Sequence, residues 1–271
     1  MPVLGLLPLW VVGAWVWFHA IAYPYWYRFG ADSVAYYVTR HHWDDLYWLA
    51  PLVDGAYLYS PAFAQVIWPL TWLPWDAFRL VWGVAEVAVL AWLLRPMGWR
   101  WGAPLLLVGA GLELPLENVY PFLALAAVAG LRHPAAWAFP LLTKVTPGVG
   151  VLWFAVRREW RHVLTAVATT GAIVCVSFLI SPAQWTQWFA FLRRTGSGGY
   201  FALIRYATAT GLTIWGARTT RRWTVPAAMT IATPVWSTAS LIILTAIPRL
   251  VAPPNARRVS GRVVRTAMVS R

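Results

Sequence analysis

The chain has 271 residues, of which 60% are hydrophobic and 11% charged, and it carries a formal net charge of +13. Soluble domains carry about 25% charged residues, so this chain cannot cover a water-facing surface, and lipid must be most of its solvent. At about 20 residues per spanning helix, the length holds at most around ten short-looped spans and excludes a sizeable soluble domain.

In chain order, the apolar runs are 4–22, 59–74, 77–94, 101–116, 118–131, 135–156, 162–180, 200–216 and 224–247. The first, seventh and last are the clearest spans, and the others are short or interrupted by Pro and Gly. Met1 to Tyr23 lacks a basic leading segment and an obvious small-residue cleavage site, which predicts a first membrane helix and not a removable signal peptide. Residues 101–131 contain Pro104, Glu113, Pro115, Glu117 and Pro121 and predict two half-helices meeting at a polar bend. Irregular backbone at membrane depth is tolerated only where protein or a water-filled cavity surrounds it, so these breaks point to a cavity. No internal repeat signals the inverted symmetry of a transporter.

Two polar loops separate the runs. Residues 23–58 hold Asp32, Asp44, Asp45 and Asp54, four of the nine acidic residues. Residues 181–199 hold Arg193, Arg194 and a Gly-rich tip at Gly196, Gly198 and Gly199. The clusters Arg157-Arg158-Glu159-Trp160-Arg161 and Arg218 to Arg222 read as cytoplasmic under the positive-inside rule, which makes the acidic loop external. Arg257, Arg258, Arg262, Arg265 and Arg271 follow Pro253-Pro254 and predict a basic cytoplasmic tail over 249–271 that touches anionic lipid. Eight crossings place this tail inside and nine place it outside, so one of the segments is expected to be re-entrant. The expected architecture is therefore one all-α polytopic domain over 1–248, with about eight or nine transmembrane or re-entrant helices.

Other features narrow the function class. Many of the 21 Trp sit at the ends of apolar runs, as at Trp43, Trp48, Trp99, Trp101, Trp160, Trp185, Trp188 and Trp223, the headgroup level that indole prefers, and a few in the external loop could instead stack on sugar or line a polyprenyl groove. No aromatic-interleaved or folded basic module is present, which argues against nucleic acid as a partner. The single cysteine, Cys175, lies in an apolar run and supports neither a disulfide framework nor a metal–thiolate site. His41-His42 has no metal-ligand spacing.

Several polar positions stand out against this apolar background. Asp32, in Gly30-Ala31-Asp32-Ser33-Val34-Ala35-Tyr36, puts a carboxylate just after the first span; it is either a general base, worth roughly 10²–10⁴-fold, or an ordinary solvated or helix-capping residue. Tyr57-Leu58-Tyr59-Ser60-Pro61 marks a helix start. Lys144 is the only lysine in the chain, and a lysine in an apolar segment costs roughly 2.5–3.5 kcal/mol on insertion scales. It either snorkels, pairs with Glu113 or Glu117, or holds a phosphate. Glu117-Asn118-Val119-Tyr120 sits at the expected bend, where buried polar groups line a cavity or pair with Lys144. Arg193 and Arg194 either grip a phosphate in bidentate fashion or meet lipid headgroups. Glu86, in the run 77–94, is a further intramembrane carboxylate without an obvious role.

Taken in order, these landmarks resemble the family 87 glycosyltransferases, membrane enzymes of the C-type glycosyltransferase fold that include polyprenyl-phosphate-mannose-dependent α-mannosyltransferases. Asp32 with Tyr36 or Tyr37 resembles the family's Asp-then-Tyr at the head of its first external loop. Tyr59-Ser60-Pro61, followed by Pro69-Leu70 and Leu73-Pro74, resembles its Tyr-Pro-Pro re-entry, with Ser60 replacing the first Pro. Glu117-Asn118 falls where a Gly-Gln-hydrophobic-Asn motif is usual, with Glu for Gln. Lys144-Val145-Thr146-Pro147 followed by Arg157-Arg158-Glu159-Trp160 resembles a Lys-x-x-Pro helix with its basic end, and Pro182 through Trp188 resembles the next external loop. No His follows His162, and the resemblance weakens beyond residue 195.

The resemblance implies an inverting hexosyltransferase of the plasma membrane with its site on the extracytoplasmic face. The donor would be a polyprenyl-phosphate hexose, mannose first, and the acceptor a cell-envelope glycolipid or glycan, with no cofactor and no metal. Asp32 would act as base, with Tyr36, Tyr59, Glu117, Asn118, Lys144, Arg193 and Arg194 contacting donor or substrate. Two other classes use the same features: a transporter or flippase of lipid-linked sugars, and a non-catalytic subunit of an envelope-assembly complex.

Overall fold

The computed structural model describes residues 6–22, 30–51, 53–195, 199–235 and 237–251. The Arg257–Arg271 tail, Gly196, Gly198 and residues 23–29 of the first loop lie outside them. Among the described residues the regular structure is entirely helical.

Helix α1 (Leu7–Ala22) is apolar on all sides. Leu7, Val11, Trp15, Phe18 and Ile21 are each more than half exposed. Helix α9 (Trp160–Ile180) is of the same kind, with only 11% of its most apolar window buried. A core helix of a soluble protein would bury such residues; uncovered apolar helices of this length need lipid around them. Among the described residues two segments, Trp75–Glu113 and Trp160–Ile180, are long and apolar enough to cross a membrane, and Leu7–Ala22, Tyr120–Gly130, Thr146–Val156 and Thr238–Val251 are shorter apolar helical stretches.

The 39-residue segment Trp75–Glu113 is a hairpin. Helix α4 (Trp75–Leu94) starts after Pro74 and carries Asp76 in its first turn, where a carboxylate complements the amino-terminal dipole. It stops at Arg95-Pro96, and Gly98 takes φ 71° to turn the chain into α5 (Gly98–Glu113), which packs back on α4 and on α1. The α1–α5 contact is close: a Cβ on Gly111 would stand 2.8 Å from Val16. Small residues permit such approaches between membrane helices. Trp17 adds an indole N–H bond to Leu107 C=O at 3.0 Å.

The expected pair of half-helices over 101–131 is present. α5 ends at Glu113, residues 114–119 form the bend, and α6 (Tyr120–Gly130) follows. The run 59–74 yields only α3 (Pro61–Ile67) and a 3-10 turn at Trp68–Trp72, too short to cross. The run 135–156 is also broken, into α7 (Ala138–Thr143), a 3-10 stretch at Thr146–Gly150 and α8 (Val151–Val156).

Two expectations are corrected. The run 224–247 is not one span: α12 (Thr224–Ala232) stops where Thr233 turns extended before Pro234, and a separate 3-10 stretch runs from Thr238 to Ala246. Proline lacks the amide that a continuing helix needs and pushes its predecessor out of the helical region. The segment 181–199 is not a loop either, because 182–195 form the amphipathic helix α10 (Pro182–Thr195). Trp185 and Phe191 are buried, while Arg193 and Arg194 are exposed. Helix α11 (Gly199–Arg218) then packs on α12.

Helix α9 separates the two ends of the molecule. Its 21 residues rise about 31 Å at 1.5 Å per residue. At its carboxyl end, α10 holds the acidic loop: Gln184 and Gln187 donate to the carbonyls of Trp43 and Asp44, each at 2.7 Å. Its amino end carries the Arg157–Arg161 cluster. Acidic and basic loops therefore lie at opposite ends.

Candidate active site

The bend after α5 supplies a docking edge for the chain leading into α2 (Ser33–Tyr37). The amides of Gly30 and Ala31 donate to Pro115 C=O at 2.9 and 3.3 Å, and that of Asp32 to Leu116 C=O at 2.8 Å. Gly30 is required here: its φ is 82°, and a Cβ would stand 2.9 Å from Arg79 Nε and 3.0 Å from Trp75.

Asp32 occupies the amino-cap position of α2 but makes no side-chain cap bond. Its half-buried carboxylate instead accepts from Asn118 Nδ2 at 2.5 Å. The Asn118 amide is oriented by its own backbone, since its Oδ1 accepts from Val119 N–H at 2.7 Å, which leaves Nδ2 to face Asp32. The capping explanation of Asp32 therefore does not hold.

Glu117 is buried in a left-handed conformation, φ 55°. One carboxylate oxygen accepts a short bond from the Ser33 hydroxyl and the other a bond from Arg79 Nε at 2.9 Å. Both oxygens are engaged, and the contacts tie the α2 loop to α4. Arg79 has no counterpart in the sequence reading. A lone arginine one turn into the apolar run 77–94 is the signal that marks it, because an intramembrane cation needs a partner.

Lys144 caps the end of α7 and is placed by an unusual turn. Val145 has φ 54° and ψ −64°, and Thr146 N–H donates back to Lys144 C=O at 2.6 Å. This is the rare, strained hand of the γ-turn. The Lys144 ammonium makes no ion pair with Glu117 or Glu113; it lies 4.4 Å from the Tyr120 ring centre and 5.5 Å from that of Tyr59. Cation–π contact of this kind favours a desolvated cation. The charges of Asp32 and Glu113 both act on it.

The wall behind Asp32 is aromatic. The hydroxyls of Tyr36 and Tyr59 are 2.9 Å apart, and Tyr36 packs on Tyr59, Phe63 and Trp82 at ring separations of 5.1–5.5 Å. Two fully buried carboxylates lie deeper: Glu86, one oxygen of which accepts from Trp82 Nε1 at 3.0 Å, and Glu113. The other Glu86 oxygen has no hydrogen-bond partner among the described residues, while the backbone amides of Asn118 and Tyr120 face the Glu113 carboxylate. A buried acceptor left unpaired is costly.

The structure thus gathers Asp32, Tyr36, Tyr59, Glu117, Asn118 and Lys144 from four separate stretches of chain. Arg193 and Arg194 stand apart, exposed on the last turn of α10, where each guanidinium bonds back to its own helix at Phe189 and Ala190. Among the described residues, no group of three or more His, Cys, Asp or Glu side chains could hold a metal ion.

The family model of glycosyltransferase family 87 matches residues 57–270. A polyprenol-phosphate-mannose-dependent alpha-(1-2)-phosphatidylinositol pentamannoside mannosyltransferase of Mycolicibacterium smegmatis is 27% identical over 155 residues, which is 50% of this chain and 38% of that protein. The chain therefore spans well under half the length of this curated relative. No solved structure matches.

Proposed function

The chain belongs to glycosyltransferase family 87, and from that membership we propose that it transfers a hexose, mannose first, from a polyprenyl-phosphate donor to a glycolipid or glycan acceptor of the cell envelope. The relative that names a polyprenol-phosphate-mannose donor supports the donor class. The acidic end carrying Asp32 would face the extracytoplasmic side of the plasma membrane, with the basic end inside and eight or nine transmembrane or re-entrant segments between.

The observation that carries the reading is Asp32. Its carboxylate is half-buried, oriented by Asn118, not spent on capping, and backed by an aromatic wall with a single ammonium nearby. The proposed step is a direct displacement. The acceptor oxygen attacks the anomeric carbon while Asp32 takes its proton, the bond from that carbon to the phosphate oxygen breaks, and the polyprenyl phosphate leaves with the electron pair. Attack opposite the leaving group inverts the anomeric centre. Lys144 would offset charge developing on the departing phosphate, an interaction strongest where water is excluded. Arg193 and Arg194, exposed and distant in contact terms, would meet the donor phosphate only on its approach. Tyr36 and Tyr59 would border the sugar, and Glu117 would hold the Asp32 loop in register. Incubating the purified protein with radiolabelled polyprenyl-phosphate mannose, polyprenyl-phosphate glucose and a nucleotide-linked mannose tests the donor class. Label should enter the glycolipid fraction from a polyprenyl-phosphate donor; transfer only from the nucleotide sugar would refute the reading.

A further inference from the structure

The basic end of the molecule contains a recess that the transfer reaction does not use. It encloses about 160 Å³, and its lining includes Trp153, Phe154, Arg157, Glu159, Thr220 and Arg222, from α8, the turn before α9 and the turn after α11, together with Leu131 at the end of α6. It lies at the amino end of α9, opposite the end where Asp32 sits. Its floor is closed, since Trp153 and Phe154 are buried.

The charges in the recess are arranged, not merely abundant. Arg157 Nε bonds Glu159 at 2.7 Å, and its Nη1 bonds Ala217 C=O at 3.2 Å, so the guanidinium is held between α8 and α11. Glu159 also meets His162 Nδ1 at 3.1 Å. Its small burial raises its pKa, but the Arg157 and His162 contacts outweigh this and hold it below the ordinary value. Its charge is therefore neutralised from within the recess. The Arg222 guanidinium has no hydrogen bond or ion pair to protein among the described residues, so its donors remain for a ligand. Thr220, which lines the recess, and Arg158, next to Arg157 in the chain, adopt left-handed backbone at φ 60° and φ 58°, which non-glycine residues hold at a cost. Arg161, Arg218 and Arg221 surround the same end.

We propose that this recess binds a phosphate oxyanion, carried by an anionic glycerophospholipid headgroup at the membrane surface or free as inorganic phosphate. A planar guanidinium with free donors suits phosphate oxygens, and the indole and phenyl floor suits the glycerol and upper acyl carbons. A topology signal alone requires positive charge anywhere in these loops, without a recess. Arg95 and Arg100 provide the contrast: both are exposed at the same end of the molecule, since α4 runs from the Asp32 end to Arg95, yet neither lines the recess.

The test is native mass spectrometry of the full-length, delipidated protein titrated with phosphatidylglycerol, phosphatidylcholine or inorganic phosphate. Wild type and the Arg95→Gln/Arg100→Gln control, which removes two charges where Arg222→Gln removes one, should retain phosphatidylglycerol in preference to phosphatidylcholine. Arg222→Gln, at an exposed position that leaves the fold intact, should weaken that retention about tenfold, and Arg157→Gln should do the same. Displacement of the lipid by inorganic phosphate would identify the free ion as a competent source, and its failure to displace would assign the site to lipid. Equal losses in the control pair and Arg222→Gln, or equal retention of both lipids, would overturn the proposal.

Discussion

The side-chain amide of Asn118 donates to Asp32 Oδ2 at 2.5 Å, joining two residues 86 positions apart. The bond links the docked loop before α2 to the bend between α5 and α6. It orients one carboxylate oxygen and leaves the other without a hydrogen bond among the described residues. Asn118→Ala should therefore lower kcat about ten- to a hundredfold, the worth of a hydrogen bond to a charged group, with little change in acceptor KM. Asn118→Asp should be more damaging, because two carboxylates at that separation cannot both ionise. Steady-state transfer kinetics on both variants check this; an Asn118→Asp enzyme as active as wild type contradicts it.

Arg79 and Glu117 form the clamp beneath that loop. Arg79→Ala leaves the Glu117 carboxylate without its ion pair and should destabilise the protein by roughly 1–3 kcal/mol, less than a fully buried pair because the Arg79 side chain is 24% exposed. Adding Glu117→Gln should recover much of that loss, since no uncompensated charge then remains. Thermal unfolding of the single and double variants in detergent measures the recovery. Additive losses would show that the pair does not act as a clamp.

Lys144 should act on the leaving group and not on the acceptor. Lys144→Gln is expected to slow transfer about a hundredfold, in the range seen when one charge-stabilising donor is removed, and to weaken inhibition by free polyprenyl phosphate. Lys144→Arg should restore part of both effects. Unchanged product inhibition in Lys144→Gln would remove Lys144 from the phosphate's surroundings.

Val145 offers a test of the turn that positions Lys144. Its side chain is 45% exposed while its backbone sits at φ 54°, so it gives up little packing and bears the conformational cost. Val145→Gly should raise stability by about 1 kcal/mol, read as an upward shift in the unfolding midpoint. A fall of similar size would mean that the turn is not strained.

The polar interruptions were visible in the sequence because each costs free energy in lipid. Asp32, Lys144 and the Glu113–Glu117 bend declare themselves against an apolar background, and the half-helices over 101–131 follow from their prolines. Spatial pairing was less legible. Glu117 looked equally suited to Lys144 and to substrate, and only the loop's docking on Pro115 and Leu116 directs it to Ser33 and Arg79. Arg193 and Arg194 looked like loop residues because Gln184, Gln187 and Arg193 make 182–195 polar on average. The helical period of Trp185, Trp188 and Phe191 holds the amphipathic pattern that a mean over the segment conceals. The broken span at 224–247 turns on Pro234, one residue in a run otherwise apolar enough to cross.

The central claim is that Asp32 takes the acceptor proton, and Asp32→Asn tests it most directly. The substitution is nearly isosteric and keeps a polar group opposite Asn118, so the protein should insert, elute and unfold like wild type. Transfer of radiolabelled mannose from polyprenyl phosphate to acceptor should then fall to background. A folded Asp32→Asn protein that transfers at the wild-type rate would contradict it.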